Sequence, residues 1–99
     1  AEHRVERAGE KLVLTPREFG VLEFLMRNVG RAVTKTEILQ AVWDPHYEGD
    51  VNVVEVYVGY LRRKIDIPFG RDSIDTLRGV GYRMRDADAG SDGAAVSRG

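Results

Sequence analysis

Apolar positions along this chain recur first at intervals of two and then at intervals of three and four, and the change of period marks the elements. Arg4 to Arg7 and Lys11 to Leu14 alternate partially on either side of Ala8, Gly9 and Glu10, which predicts a short β-hairpin. Thr15, Pro16 and Glu18 then supply a helix N-cap, a proline at the first helical position and a capping-box carboxylate. In the helix that follows, Phe19, Leu22, Met26 and Val29 share one face with Leu25 beside it, and Gly30 is placed to end it near Asn28. Ala32 and Val33 suffice only for a bridge strand. Thr34 and Glu37 repeat the capping-box spacing and open a second helix to about Trp43, with Ile38, Leu39 and Val42 inward. The tight connection from Gly30 to Thr34 packs this helix close to the first.

The stretch from Val51 to Ile65, VNVVEVYVGYLRRKI, organises the rest. Val54, Val58, Leu61 and Ile65 recur at i, i+4, i+7 and i+11, a narrow stripe that marks a core face. Opposite lie Asn52, Val56, Gly59, Tyr60 and Arg63, where a helix facing only water would carry Glu and Lys, so this face is expected to meet a second partner. Asn52 and Glu55 have capping-box spacing, Arg62, Arg63 and Lys64 suit the C-terminal dipole, and the Pro68 to Gly70 region prevents continuation. After it, Ser73 to Leu77 and Tyr82 to Arg85 flank Arg78-Gly79-Val80-Gly81, whose glycines suit a tight reversal and predict a second hairpin. From Asp86 onward, DADAGSDGAAVSRG has little to bury and reads as a disordered tail. The expected domain is therefore 1–85 with a tail at 86–99. Its fold class is α+β, a winged helix-turn-helix of three helices with a short N-terminal antiparallel sheet and a C-terminal β-hairpin wing.

Composition narrows the function. Ninety-nine residues with 42% hydrophobic side chains suit one core, and the absence of cysteine excludes disulfides and thiolate metal sites. No apolar run approaches the roughly 20 residues of a membrane span, so a soluble cytoplasmic protein is expected. The start at Ala1 suggests a piece of a longer chain. The net charge of -1 argues at first against a nucleic-acid partner, but its distribution does not. Residues 1–59 carry seven Lys and Arg against ten Asp and Glu, residues 60–85 seven against three, and residues 86–99 one against three. The basic part is the end of the organising helix and the hairpin behind it.

An exposed helix face of this composition fits the B-DNA major groove, where Asn pairs with adenine, a Val methyl meets the thymine methyl and Arg reaches guanine or phosphate. The candidate DNA-binding residues are Asn52, Val53, Val56, Tyr57, Tyr60, Arg62, Arg63, Lys64, Thr76, Arg78 and Trp43. Asn52, Val53, Val56 and Tyr60 are placed nearest base edges, and Arg62, Arg63, Lys64 and Arg78 on the backbone. Arg78 at the hairpin turn suits the adjacent minor groove, Thr76 the backbone beside it, and the Trp43 indole N–H a phosphate. Neutralising four to six phosphates would give log K against log salt a slope of about -4 to -5. The bland alternatives are a solvated helix face, ordinary C-terminal charge bias and a core tryptophan.

Asp44, His46, Glu48, Gly49, Asp50, Val51 and Glu55 also fall on positions 1, 3, 5, 6, 7, 8 and 12 of an EF-hand loop. A histidine nitrogen at the third position, the long Glu at the fifth and the stiff Pro45 favour a polar surface loop, so no metal or other cofactor is expected. Neither His3 nor His46 has a positioned nucleophile beside it, and no glycine-rich phosphate loop follows a strand, so no enzyme is expected.

LTPREFGVLEFL (14–25), TKTEILQAVW (34–43), NVVEVYVGYLRRKI (52–65) and IDTLRGVGYR (74–83), in this order, resemble the winged-helix effector domains of OmpR/PhoB-type bacterial response regulators. The likeness runs from Val5 to Arg85. It implies a two-component transcription factor whose receiver domain is phosphorylated on an aspartate by a sensor kinase, after which it dimerises on repeated DNA half-sites. It further implies that helix 52–65 enters the major groove, that Arg78 and Thr76 serve the wing, that Trp43 lies near phosphate, and that the Asp44 to Asp50 loop touches RNA polymerase. The chain departs from the family at Asn52, Gly59 and Tyr60, where relatives often carry basic residues, and its N-terminal sheet is shorter. A winged-helix protein-interaction module, docking through Val56 and Tyr60, is the alternative from another class.

Overall fold

The computed structural model describes residues 3–86, and the tail expected at 86–99 lies outside them except for Asp86. The first hairpin joins β1 (His3–Arg7) to β2 (Glu10–Leu14) through Ala8 and Gly9, with Arg7 paired to Glu10. The connection is two residues rather than the three expected. Both adopt positive φ, 52° and 82°, which matches the right-handed twist of the strands.

Helix α1 (Pro16–Arg27) begins as its sequence predicts: Thr15 Oγ1 accepts from the Glu18 N–H at 3.2 Å, and Glu18 Oε1 accepts from the Thr15 N–H at 3.0 Å. Its buried stripe is Val21, Leu22 and Leu25, with Phe19 and Met26 half-buried. Val29 does not join it, because the helix stops at Arg27 and leaves Val29 exposed. Past that end the Gly30 N–H donates to Met84 O at 2.9 Å, tying the turn to the last strand. Strand β3 (Val33–Thr34) leads into α2 (Lys35–Val42), where Thr34 and Glu37 close the second capping box.

Helix α3 (Val53–Leu61) is shorter than the Val51 to Ile65 stretch, and its predicted capping box does not form. Asn52 is already in the helical region of backbone space with no side-chain cap bond. Asp50 takes that place, its Oδ1 accepting from the Asn52 N–H at 2.9 Å. Lys35 captures both would-be partners instead, donating to Asn52 Oδ1 at 3.2 Å and to the Glu55 carboxylate. The chain then widens into a single π turn (Arg62–Asp66) and a 3₁₀ turn (Ile67–Phe69), ending at Gly70 with φ 64°. The widening lets two consecutive residues, Ile65 and Asp66, both point inward.

Asp66 fastens three segments. Its Oδ1 lies 3.6 Å from the Arg7 guanidinium, its Oδ2 accepts from the Ser73 N–H at 3.0 Å, and its carbonyl accepts from the Arg71 N–H at 3.0 Å. Burial pulls the Arg7 pKa below its ordinary value, with Asp66 opposing the shift and Arg71 adding to it.

The wing is β4 (Ile74–Leu77) and β5 (Gly81–Met84), with β5 central between β3 and β4. Gly81 is required there, since a Cβ would stand 2.0 Å from Val33 O. Leu14, Leu22, Leu25, Ile38, Val54, Val58, Leu61, Ile65 and Ile74 fill the core between the helices and this sheet. Each such side chain contributes about 1.5–3 kcal/mol of transfer free energy. The expected winged-helix arrangement is what forms: β-hairpin, three α-helices among the described residues, and a β-hairpin wing.

Candidate nucleic-acid interface

With Val54, Val58 and Leu61 committed to the core, α3 must turn its opposite side outward. Asn52, Val56, Tyr60 and Arg63 lie there exposed, with Val56 at 47% and Tyr60 at 39%. Val53 and Tyr57 are half-buried on the flank facing α2.

An aromatic ladder supports that flank. Trp43 is buried and meets Tyr57 edge-on at 5.3 Å, and Tyr57 meets Tyr60 edge-on at 5.1 Å. The Arg17 guanidinium sits 4.7 Å above the Trp43 ring, and that of Arg63 lies 5.8 Å from the Tyr60 ring. Trp43 is thus positioned first as the base of the ladder.

The basic residues divide more sharply than the charge count suggests. Arg62 reaches the wing, donating to Ile74 O at 2.6 Å and to Thr76 Oγ1 at 2.8 Å, with Tyr82 5.9 Å away. That bond occupies both Arg62 and Thr76. Lys64 turns inward to Glu18 Oε1 at 2.7 Å and Val13 O at 3.2 Å. Arg83 and Arg85 bind Asp75 at 3.1 and 2.8 Å, and Arg85 also lies 3.6 Å from Asp72. Burial works to raise the Asp75 pKa, but hydrogen bonds from Arg85 and Arg83 outweigh it and hold it below the usual value. Arg63 and Arg78 remain exposed, one on the helix and one at the wing turn.

Between the start of α2, the start of α3 and the wing lies an open cleft of about 560 Å³, lined by Lys35, Val51, Glu55, Thr76, Arg78 and Tyr82 among others. The wing turn and the start of α3, through Val51 and Glu55, therefore border one concavity. Lys35 is the residue that sequence reasoning missed. Its bonds to Asn52 and Glu55 cross 17 and 20 residues, a separation at which no local pattern reports contact. The Glu55 hydrogen bond raises the Lys35 pKa, so Lys35 is cationic at neutral pH. In the loop before α3, Asp44 Oδ1 accepts from the His46 N–H at 2.7 Å, Asp50 caps Asn52, and Glu55 is held by Lys35. Those carboxylates serve turns and an ion pair, as a polar surface loop requires. Among the described residues no helix is long and apolar enough to cross a membrane.

Residues 9–84 match the family described as "Transcriptional regulatory protein, C terminal". The chain is 48% identical over 85 residues to the transcriptional regulatory protein TcrA of Mycobacterium tuberculosis, covering 86% of this chain and 34% of TcrA. The response regulator DrrB, described as a Thermotoga maritima OmpR/PhoB homologue, superposes with a TM-score of 0.68 at 32% identity, covering 79% of this chain and 36% of DrrB. The DNA-binding domain of Bacillus subtilis CssR superposes with a TM-score of 0.69 at 27% identity, covering 85% of this chain and 99% of that domain. The chain spans about a third of the length of the curated relatives it matches.

Proposed function

The chain belongs to the family of transcriptional regulatory protein C-terminal domains, of the OmpR/PhoB type, and from that membership we propose that it binds double-stranded DNA, with α3 in the major groove and the wing turn at the adjacent minor groove. The observation that carries this reading is the outward side of α3, where Asn52, Val56, Tyr60 and Arg63 are exposed, while Arg78 is exposed at the wing turn across a cleft from Glu55 at the start of the helix. A helix fits the major groove, and a cation at a wing turn suits the negative potential of a narrow minor groove. The Arg62 bonds to Ile74 and Thr76 make helix and wing one body, so both contacts form in a single docking event.

With Arg62 and Lys64 engaged inside the protein, Arg63 and Arg78 remain of the four cations placed on the DNA backbone, and log K should fall with log salt at a slope of about -2. Fluorescence anisotropy on a labelled duplex across a salt series measures it. Replacing Arg78 with Ala should weaken binding by about 1–3 kcal/mol if it reaches a base edge. Absence of binding to any duplex at about 50 mM salt would overturn the reading in favour of a protein-docking face.

We further infer that the domain works within a longer cytoplasmic response regulator. An attached receiver, phosphorylated by a sensor kinase, would drive dimerisation on repeated half-sites, and the Asp44 to Asp50 loop would meet RNA polymerase. The one-third share of the relatives' length supports the longer protein. The exposure of the loop supports its availability. Gel filtration of the full-length regulator with and without a phosphoryl donor tests the first part, and loop substitutions assayed by transcription in vitro test the second.

A further inference from the structure

A helix that reads guanine does so with an arginine or lysine free to reach the groove floor, since guanine presents two acceptors there. Around α3 three nearby cations are engaged inside the protein, and the exposed Arg63 and Arg78 lie away from the middle of the helix, one past its last turn and one at the wing turn. Arg62 is bound to the wing at Ile74 O and Thr76 Oγ1. Lys64 is bound to Glu18 and Val13 O, and Lys35 to Asn52 and Glu55. Arg63 lies over the Tyr60 ring at the far end of the helix. Asn52 is compromised as well. Bidentate pairing with adenine needs its side-chain oxygen and nitrogen together, and the oxygen already accepts from Lys35.

What remains at the centre of the outer side is apolar. Val56 is 47% exposed and Tyr60 39%, and the position where a Gly59 Cβ would stand has no atom within 4 Å, so the helix backbone itself can approach the groove. The thymine methyl is the apolar group that a base pair offers in the major groove. We propose that Val56, Gly59 and Tyr60 form a thymine-methyl-reading strip, so that the half-site of this domain carries A·T pairs beneath the strip in place of an arginine-read guanine. The inference rests on the DNA-binding reading above and specifies the class of sequence bound.

The strip is held ready before DNA arrives. Tyr57 stands edge-on to the Tyr60 ring and is itself braced on Trp43, so little side-chain freedom is left to lose on contact. An apolar contact of one methyl corresponds to about a four-fold change in affinity at about 0.8 kcal/mol per buried carbon.

The test begins with selection of bound sequences from a random duplex pool. Deoxyuridine then replaces each thymine of the enriched site in turn, which removes the methyl and leaves base pairing intact. Affinity should fall about four-fold at one to three positions and stay constant at the others. Val56→Ala should erase the penalty at one of these positions, and Tyr60→Ala at a neighbouring one, while Tyr60→Phe keeps it. Uracil tolerated at every position overturns the inference, as does an enriched guanine whose contribution vanishes with Arg63→Ala. Salt-sensitive binding that enriches no motif also overturns it. In all three cases DNA binding itself stands. No binding to any duplex defeats the DNA-binding reading and this inference with it.

Discussion

Helices α1 and α3 pack against each other, yet they are specified in opposite ways. The start of α1 is complete within four residues, Thr15 to Glu18, each closing a hydrogen bond on the other's backbone. The start of α3 has the same spacing in Asn52 and Glu55, but both side chains are taken by Lys35 on a neighbouring helix, and Asp50 does the capping. Its far end is also held from outside, by Asp66 to Arg7 and by Arg62 to the wing. A helix whose outer side carries exposed Asn52, Val56, Tyr60 and Arg63 has few of its own side chains left for self-stabilisation, and its neighbours supply the restraint. The support helix is local in its determinants. Helix α3 is tertiary in its own.

The largest effect should come from cutting the external hold. Asp66→Ala leaves the buried Arg7 without its counter-charge and should cost about 3–4 kcal/mol in urea denaturation, and adding Arg7→Met should recover much of it. A loss below about 1 kcal/mol would mean that α3 does not depend on this anchor. Next, Leu61→Ala on the inward side should cost about 3 kcal/mol, whereas Val56→Ala on the outward side should stay within about 0.5 kcal/mol. Equal costs would erase the division between the two sides. The caps sharpen the contrast further: Thr15→Ala should cost about 1 kcal/mol, and Asn52→Ala only a few tenths, by thermal unfolding.

The smallest effect concerns pH at the wing. The Asp75 carboxyl is held below its ordinary pKa by Arg85 and Arg83 against the opposing effect of burial. A depressed folded-state pKa gives stability that is present above the unfolded value, about 3.9, and is lost as pH falls through the folded one. Wing amide resonances should therefore be insensitive to pH near neutrality and shift only in acid below about pH 4, and Asp75→Asn should remove that titration. A wing transition near neutral pH would contradict the assignment.

Much of the architecture was legible because its determinants are close in sequence. Thr15 with Glu18 and Thr34 with Glu37 mark two helix starts, and the Val54, Val58, Leu61 and Ile65 repeat marks the inward side of the third. Val29 misled because a face projected past the end of α1 cannot see the turn that stops it at Arg27. The candidate site was legible as a set but not as a division of labour. Lys64 and Arg62 look like phosphate binders in a run of three cations, until folding brings Glu18 within 2.7 Å of one and the wing carbonyl within 2.6 Å of the other.

Local hydrogen bonding and apolar periodicity by themselves determined the element order, the core faces and the side of α3 left outward, because each depends on residues three or four positions apart. Tertiary structure alone decided which polar groups on that side stay free. Lys35 reaches Asn52 and Glu55, Arg62 reaches Thr76, Lys64 reaches Glu18, and Arg7 reaches Asp66 only after distant segments pack together. A long cationic side chain goes to whichever acceptor the fold brings within about 3 Å, and sequence spacing carries no information about that distance.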